Sequence, residues 1–378
     1  MPSNSEVVKK VIRLSLAGLV FIGMTQIAGM DLRVSQEVLL SLLVMSIFSL
    51  FFDNIWLTIF FCWSMYLFIF YKFQIGQQYI TNMFLGGMIY YMIKQSCKKE
   101  HINFFINTLF WLVFANLALM VLQVTGNDFV FKLRLDKVMV ENNDPAGFMG
   151  YKAAMGMLMA FAVPLLYTRR NLLAKICSFG MLVPLYISRS SVCVLAGVAT
   201  LIVCVWQDNK KLAVLFSICA LVAGGWYVKK VDNADTSVGM RIEQWKMTLH
   251  DATQHPLIGW GLDSYRNISK QKNFIYVQPG GGKTPDGKMK VDQWDNPHNI
   301  IISLFYEWGL LGVVCLFGLM RKYALQWQRT VKTANLQGLG LFLITLFIIS
   351  MAQFPLWLAR TACFIIPLTA LYEVEAKE

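Results

Sequence analysis

Long apolar runs recur along this chain, and they constrain its fold more than any other feature. A helix needs about 20 mostly apolar residues to cross a bilayer. Runs of that kind cover 11–29, 34–52, 55–73, 78–95, 103–124, 151–168, 172–188, 190–207, 211–228, 299–320, 336–352 and 354–372. Charged residues are only 15% of the chain and mean hydropathy is +0.52. An ordinary soluble domain carries roughly 25% charged residues, so this chain lacks the charge to cover a water-exposed surface. The expected fold is an all-α polytopic membrane protein with about twelve transmembrane helices. The polar start, Met1 to Lys10, runs into the first span without an obvious small-residue cleavage site. It therefore reads as an uncleaved first helix.

The basic residues give the orientation. With Lys9, Lys10 and Arg13 inside, every second loop is cytoplasmic. Those loops hold Lys94, Lys98 and Lys99, then Arg169, Arg170 and Lys175, then Lys210 and Lys211, then Arg321, Lys322, Arg329 and Lys332. The alternate short loops hold little beyond Arg33, Lys72 and Arg189. Lys and Arg accumulate in cytoplasmic loops, so the pattern predicts an even helix count with both termini cytoplasmic.

Three parts follow. Residues 1–228 hold the first nine spans, 229–297 form one large loop on the outer side, and 298–378 hold the last three spans. A shorter outer segment runs from Gly126 to Gly150. In the large loop Val238, Ile242, Trp245 and Leu249 recur at helical spacing and predict an amphipathic helix from Val238 to Ala252, with Ser237 as its N-cap. Turn signals follow at His255-Pro256 and Gly259-Trp260-Gly261, then a flexible stretch from Pro279 to Lys290.

Several function classes are disfavoured. The net charge of +12 belongs to short membrane loops, and no basic stripe with interleaved aromatics marks a nucleic-acid surface. Of the eight cysteines, all but Cys97 lie in apolar runs, and no Cys-x-x-Cys pair occurs, so neither zinc nor a disulfide framework is indicated. No Walker loop, dinucleotide glycine fingerprint or Ser-His-Asp arrangement is visible, and no cofactor or metal is expected.

Ionisable residues at the outer ends of apolar helices are costly and are functional candidates. Arg189, between two apolar runs, has the bidentate fork that holds a phosphate, or it snorkels to lipid headgroups. Arg241 lies near the start of the loop helix, where the dipole favours anions; otherwise it is a solvated loop charge. Among the four histidines, His101, His250, His255 and His298, only His298 stands where a polar loop becomes an outer-side helix. With Asn296 as cap and Pro297 at the first position, His298 would occupy the first turn, where the dipole keeps imidazole neutral and able to act as a general base. The alternative is a structural residue. Asn299, Ser303 and Glu307 continue at spacings of four as a polar stripe. Two arginines and a neutral histidine are sufficient to bind a lipid pyrophosphate and activate a sugar hydroxyl without a metal.

The motifs Asn296-Pro297-His298-Asn299 and Glu307-Trp308-Gly309-Leu310-Leu311-Gly312 resemble a signature of the O-antigen ligase and polymerase superfamily. Upstream, Arg241-Ile242-Glu243-Gln244-Trp245, His255-Pro256-Leu257-Ile258-Gly259-Trp260-Gly261, Ser188-Arg189-Ser190, Gln123-x-x-Gly126 and Gly147-Phe148-Met149-Gly150 are similar to further family positions. The resemblance spans roughly 120–320, in the family's order. It departs at Tyr151 and Lys152, where the family usually carries asparagines.

The resemblance implies a GT-C-type glycosyltransferase of the bacterial inner membrane with a periplasmic active site. The implied donor is an undecaprenyl-pyrophosphate-linked glycan, and the implied acceptor is lipid A–core or another glycan. Carried over, Arg189 and Arg241 bind pyrophosphate, His298 activates the acceptor with inversion, and Asn299 and Glu307 belong to the substrate site. A ligase is the first expectation, a polymerase the second and a protein-directed transferase the third. A lipid-linked glycan transporter is the non-enzymatic alternative, although transporters place their charges near the midplane. A membrane scaffold is the remaining one.

Overall fold

The computed structural model describes residues 77–125, 152–169, 171–188, 190–230, 237–262, 264–266, 276–277, 291–292, 296–330, 333–353, 355 and 359–376. The first three expected spans, the Gly126–Gly150 segment and Arg189 lie outside the described residues. The helices are α1 (Gln77–Ser96), α2 (Lys99–Val124), α3 (Lys152–Tyr167), α4 (Leu172–Gly180), α5 (Leu182–Ile187), α6 (Ser191–Asp208) and α7 (Lys210–Lys230). After them come α8 (Ser237–Ala252), α9 (Ile300–Thr330), α10 (Ala334–Ser350) and α11 (Ala359–Glu375). One antiparallel pair, β1 (Tyr276–Val277) and β2 (Val291–Asp292), brackets the glycine-rich stretch of the loop.

The protein is a helical membrane protein. Among the described residues, three helices are long and apolar enough to cross a bilayer: Glu100–Val124, Ser191–Asp208 and Ile300–Arg329. Helix α3 is the hub. It packs against α2, α4, α5, α6, α10 and α11, and its residues from Ala153 to Leu166 are apolar on every side except at Gly156. A helix that is apolar all round belongs in an interior, and residues such as Met155, Leu158, Phe161 and Val163 are buried. Lipid-facing helices instead expose apolar faces, for example Leu310, Val314 and Phe317 on α9.

The expected span 172–188 is observed as one apolar run, Leu172–Ile187, with a turn at Met181 that separates α4 from α5 and keeps right-handed helical angles. Asn171 caps α4 by accepting from the Leu173 N–H at 2.9 Å. Met181 marks the turn between α4 and α5, and Pro184 has no N–H to give to Gly180, four residues earlier.

Two polar ties join the helix ends that carry the basic residues. Glu373 on α11 meets Lys94 of α1 at 3.0 Å and Lys322 of α9 at 2.7 Å. Asp208 on α6 accepts from Tyr167 Oη at 3.1 Å and pairs with Lys175 of α4. Cys97, Cys177, Cys193, Cys204, Cys219 and Cys315 are free thiols.

The loop helix α8 forms where expected, and its inward side is more polar than its periodicity implies. That side carries Gln244, Thr248 and Asp251, all buried, together with the partly buried Trp245, while Ile242 and Leu249 of the expected apolar stripe are 43% and 41% exposed. Gln244 Nε2 donates to Tyr265 Oη at 2.7 Å, and Thr248 Oγ1 donates to the Gln244 carbonyl at 2.7 Å.

Candidate active site

The site is built where α8 and the loop after it meet α9. Helix α9 leaves helical geometry at Gly309, with φ 66° and ψ −161°. An unbroken helix would pair the Leu310 N–H with the Tyr306 carbonyl. Here Leu310 N–H donates to the Pro256 carbonyl at 2.8 Å, while Trp260 N–H donates to Tyr306 O at 2.8 Å and Gly261 N–H to Glu307 O at 3.1 Å. The loop therefore takes up the backbone groups that the break releases. In an apolar helix this exchange is essential, because each orphaned group there costs several kcal/mol. Gly259, at φ 69°, completes the joint: a Cβ on it would lie 2.6 Å from the Glu307 carbonyl oxygen. A Cβ on Gly309 would run into the Leu257 carbonyl.

Small clusters flank this joint. Leu262 packs with Leu304 and Trp308, and Ala252 with Tyr265 and Tyr306. His255 lies edge-on to Trp260 at 4.2 Å between ring centroids. The loop is thereby fixed to the first turns of α9.

His298 stands just before α9, not within its first turn. The cap is Asn299, whose Oδ1 accepts from the Ile301 and Ile302 N–H groups at 3.0 and 3.1 Å. Asn296, the expected cap, instead accepts from the His298 N–H at 2.9 Å. His298 has φ 54°, the left-handed region. For a residue other than glycine such a conformation costs about 1–3 kcal/mol and marks positions that the surroundings hold in place. Burial, and after it the Arg241 guanidinium, pushes the imidazole down to about 3. Both causes favour the neutral ring.

Arg241 is partly buried on α8 and its charge is felt both at His298 and at Cys193 near the start of α6. The α5–α6 junction is thus brought beside Arg241. The neighbours of Arg189 there, Ser188 and Ser190, are buried, and Ser190 Oγ lies 3.1 Å from Cys193 Sγ. The polar stripe of α9 faces inward: Asn299, Ser303 and Glu307 are 5%, 6% and 5% exposed. Asn299 also donates from Nδ2 to the Met351 carbonyl at 3.0 Å, joining α9 to the end of α10.

Gln244 and Trp245 were not singled out as site residues by sequence. Both touch the turn before His298, and their position three and four residues after Arg241 was the available signal. No group of three or more His, Cys, Asp or Glu placed to hold a metal occurs among the described residues.

Asn299→Ala is expected to destabilise the protein by about 1–2 kcal/mol, the usual value of an N-cap. Asn299→Asp, which keeps the cap but not the donor to Met351, should lose less. Thermal unfolding in detergent separates the two; equal stability of Asn299→Ala and the parent would contradict the cap.

The fold and this joint define a helical membrane protein with a histidine and an arginine brought together where a large loop meets an apolar helix. Residues 154–317 match the family model described as O-antigen ligase. The matched stretch runs from α3 into α9 and includes Arg189, Arg241, His298, Asn299 and Glu307. The resemblance to the O-antigen ligase superfamily therefore holds over one continuous region, and it supports glycosyltransferase activity of the ligase or polymerase type at family level. The comparison with curated proteins found no match.

Proposed function

We propose that this chain is an O-antigen ligase-type glycosyltransferase acting on the periplasmic face of the bacterial inner membrane. It moves a glycan from an undecaprenyl-pyrophosphate-linked donor to a hydroxyl of lipid A–core, with inversion and without a metal. The observation that carries this reading is that α8, which bears Arg241, is bonded to the turn before His298 through Gln244 and Trp245, inside the stretch that matches the O-antigen ligase family model.

In this reading Arg189 and Arg241 bind the pyrophosphate and stabilise the charge that develops as it leaves. The acceptor oxygen bonds to the anomeric carbon as the bond from that carbon to the pyrophosphate breaks. His298 takes the hydroxyl proton, which requires imidazole to be neutral at the working pH. Asn299 and Glu307 line the same side of α9 and complete the substrate site. The proposal includes the GT-C-like arrangement of about twelve helices, both termini cytoplasmic. Residues 1–228 and 298–378 form the membrane parts, and 229–297 form the periplasmic loop.

The test is transfer by purified protein from a defined undecaprenyl-pyrophosphate glycan, offered lipid A–core and a second donor molecule. Glycan on lipid A–core is the expected product. Elongated donor alone would make it a polymerase. Translocation of donor with no transfer would reject the enzyme in favour of a transporter.

A further inference from the structure

The turn that presents His298 is held by the helix that carries Arg241. Gln244 and Trp245 follow Arg241 at three and four residues on α8, the spacing that puts side chains on one side of a helix. Gln244 Nε2 donates to the Asn296 carbonyl at 3.1 Å, and Trp245 Nε1 donates to the Pro297 carbonyl at 2.6 Å. The two carbonyls immediately before His298 are therefore both gripped by side chains of α8. Within the turn, Asn296 Oδ1 accepts the His298 N–H. Beyond it, Asn299 ties the start of α9 to Met351. Gln244 is 2% exposed and is itself anchored on Tyr265. A left-handed histidine persists only where such bonds over-determine it, and α8 supplies two of them from outside the turn.

We propose that Gln244 and Trp245 are positioning residues for His298: their donors on the Asn296 and Pro297 carbonyls set the turn that holds the imidazole beside Arg241. One helix then places both the cation and the histidine, so their separation is set within a single rigid element instead of by two independent loops. The inference rests on the reading of His298 as the base.

The experiment uses full-length protein in detergent, with Trp245→Phe and Gln244→Met. Each removes a donor and keeps most of the side-chain volume. The first readout is carbethoxylation of His298 by diethyl pyrocarbonate, followed peptide by peptide, with exposed His250 as internal reference. His298 labelling should rise several-fold in both variants while His250 labelling stays constant. The second readout is glycan transfer. Misplacement of a reacting group by about 1 Å can cost about 10²-fold in rate, so kcat should fall by about tenfold or more with KM for the donor unchanged.

The acid limb of the pH profile is the third readout. The His298 turn is bonded by Gln244 and Trp245 of α8 and followed by the cap Asn299 of α9, which reaches the Met351 end of α10; the charge of Arg241 acts on His298 and also on Cys193 of α6. A loosened turn exposes the ring, its pKa climbs toward the ordinary value of about 6.5, and the acid limb moves to higher pH. Unchanged labelling, or unchanged kcat despite raised labelling, would overturn the proposal. So would a fall in kcat that leaves labelling and the acid limb where they were, since that marks a general structural defect. If His298 variants keep full transfer, the base reading fails by itself, and the labelling alone still decides whether α8 holds the turn.

Discussion

Replacing His298 with alanine is expected to slow glycan transfer by about 10²- to 10⁴-fold, the usual contribution of a positioned general base. The side chain that is lost is the one whose protonation Arg241 and burial both oppose. Alanine tolerates φ 54° poorly, so a misfolded turn could mimic lost chemistry. His298→Asn removes that ambiguity, because asparagine enters the left-handed region more readily and is no base at neutral pH. Both variants should lose transfer, and His298→Asn should do so while keeping the parent's melting behaviour. The pH profile gives a second check with a fixed sign. The base works when neutral, so transfer through His298 fails as pH drops through its pKa, and burial with the Arg241 charge moves that failure to more acid pH than an ordinary histidine would show. An Arg241→Ala, His298→Ala double variant should be little slower than His298→Ala alone, because residues acting as one unit are not additive. Full activity in His298→Asn would remove the histidine from the mechanism.

Alanine at Gly309 is expected to be the most damaging single methyl group in the described fold. The conformation there, φ 66° and ψ −161°, is open essentially only to glycine and costs other residues about 1–3 kcal/mol. The added Cβ also strikes the Leu257 carbonyl, so the loop must retreat. Retreat gives up the bonds at Leu310, Trp260 and Gly261, each worth about 0.5–1.5 kcal/mol. The combined loss is about 4 kcal/mol or more, in the range reserved for severe lesions. A thiol-reactive dye reads this directly, since Cys193, Cys204 and Cys315 are buried and become reactive on unfolding. A fall in Tm of roughly 5–10 °C is expected, together with loss of transfer. Gly180→Ala is the control: nothing lies within 4 Å of its Cβ position, and its Tm should hold or rise slightly. Equal melting of the Gly309 variant and the parent would refute the joint.

Much of the helical frame is legible in the sequence, because apolar length alone sets it. Run 211–228 is observed as Lys210–Lys230, and run 336–352 as Ala334–Ser350. The break at Gly309 was not legible. A lone glycine in an apolar run reads as a tolerated weakness, and only its backbone exchange with Pro256, Trp260 and Gly261, about fifty residues away, explains it. The cap before α9 was misassigned because Asn296 and Asn299 are both competent caps and the left-handed turn at His298 decides between them. The facing of α8 was unreadable for a related reason. Periodicity reports where apolar residues fall, whereas Gln244 is inward with partners on Tyr265 and Asn296 that periodicity does not see.

The joint between the loop and α9 is made of main-chain bonds, with Gly259 and Gly309 as its side-chain requirement. Its hydrogen-bond register therefore depends on two glycines and not on the identity of the other residues that supply the bonds. Substitutions elsewhere in the loop can change the surface beside His298 while that register stays, provided the packing of Leu262 and Tyr265 on α9 is kept.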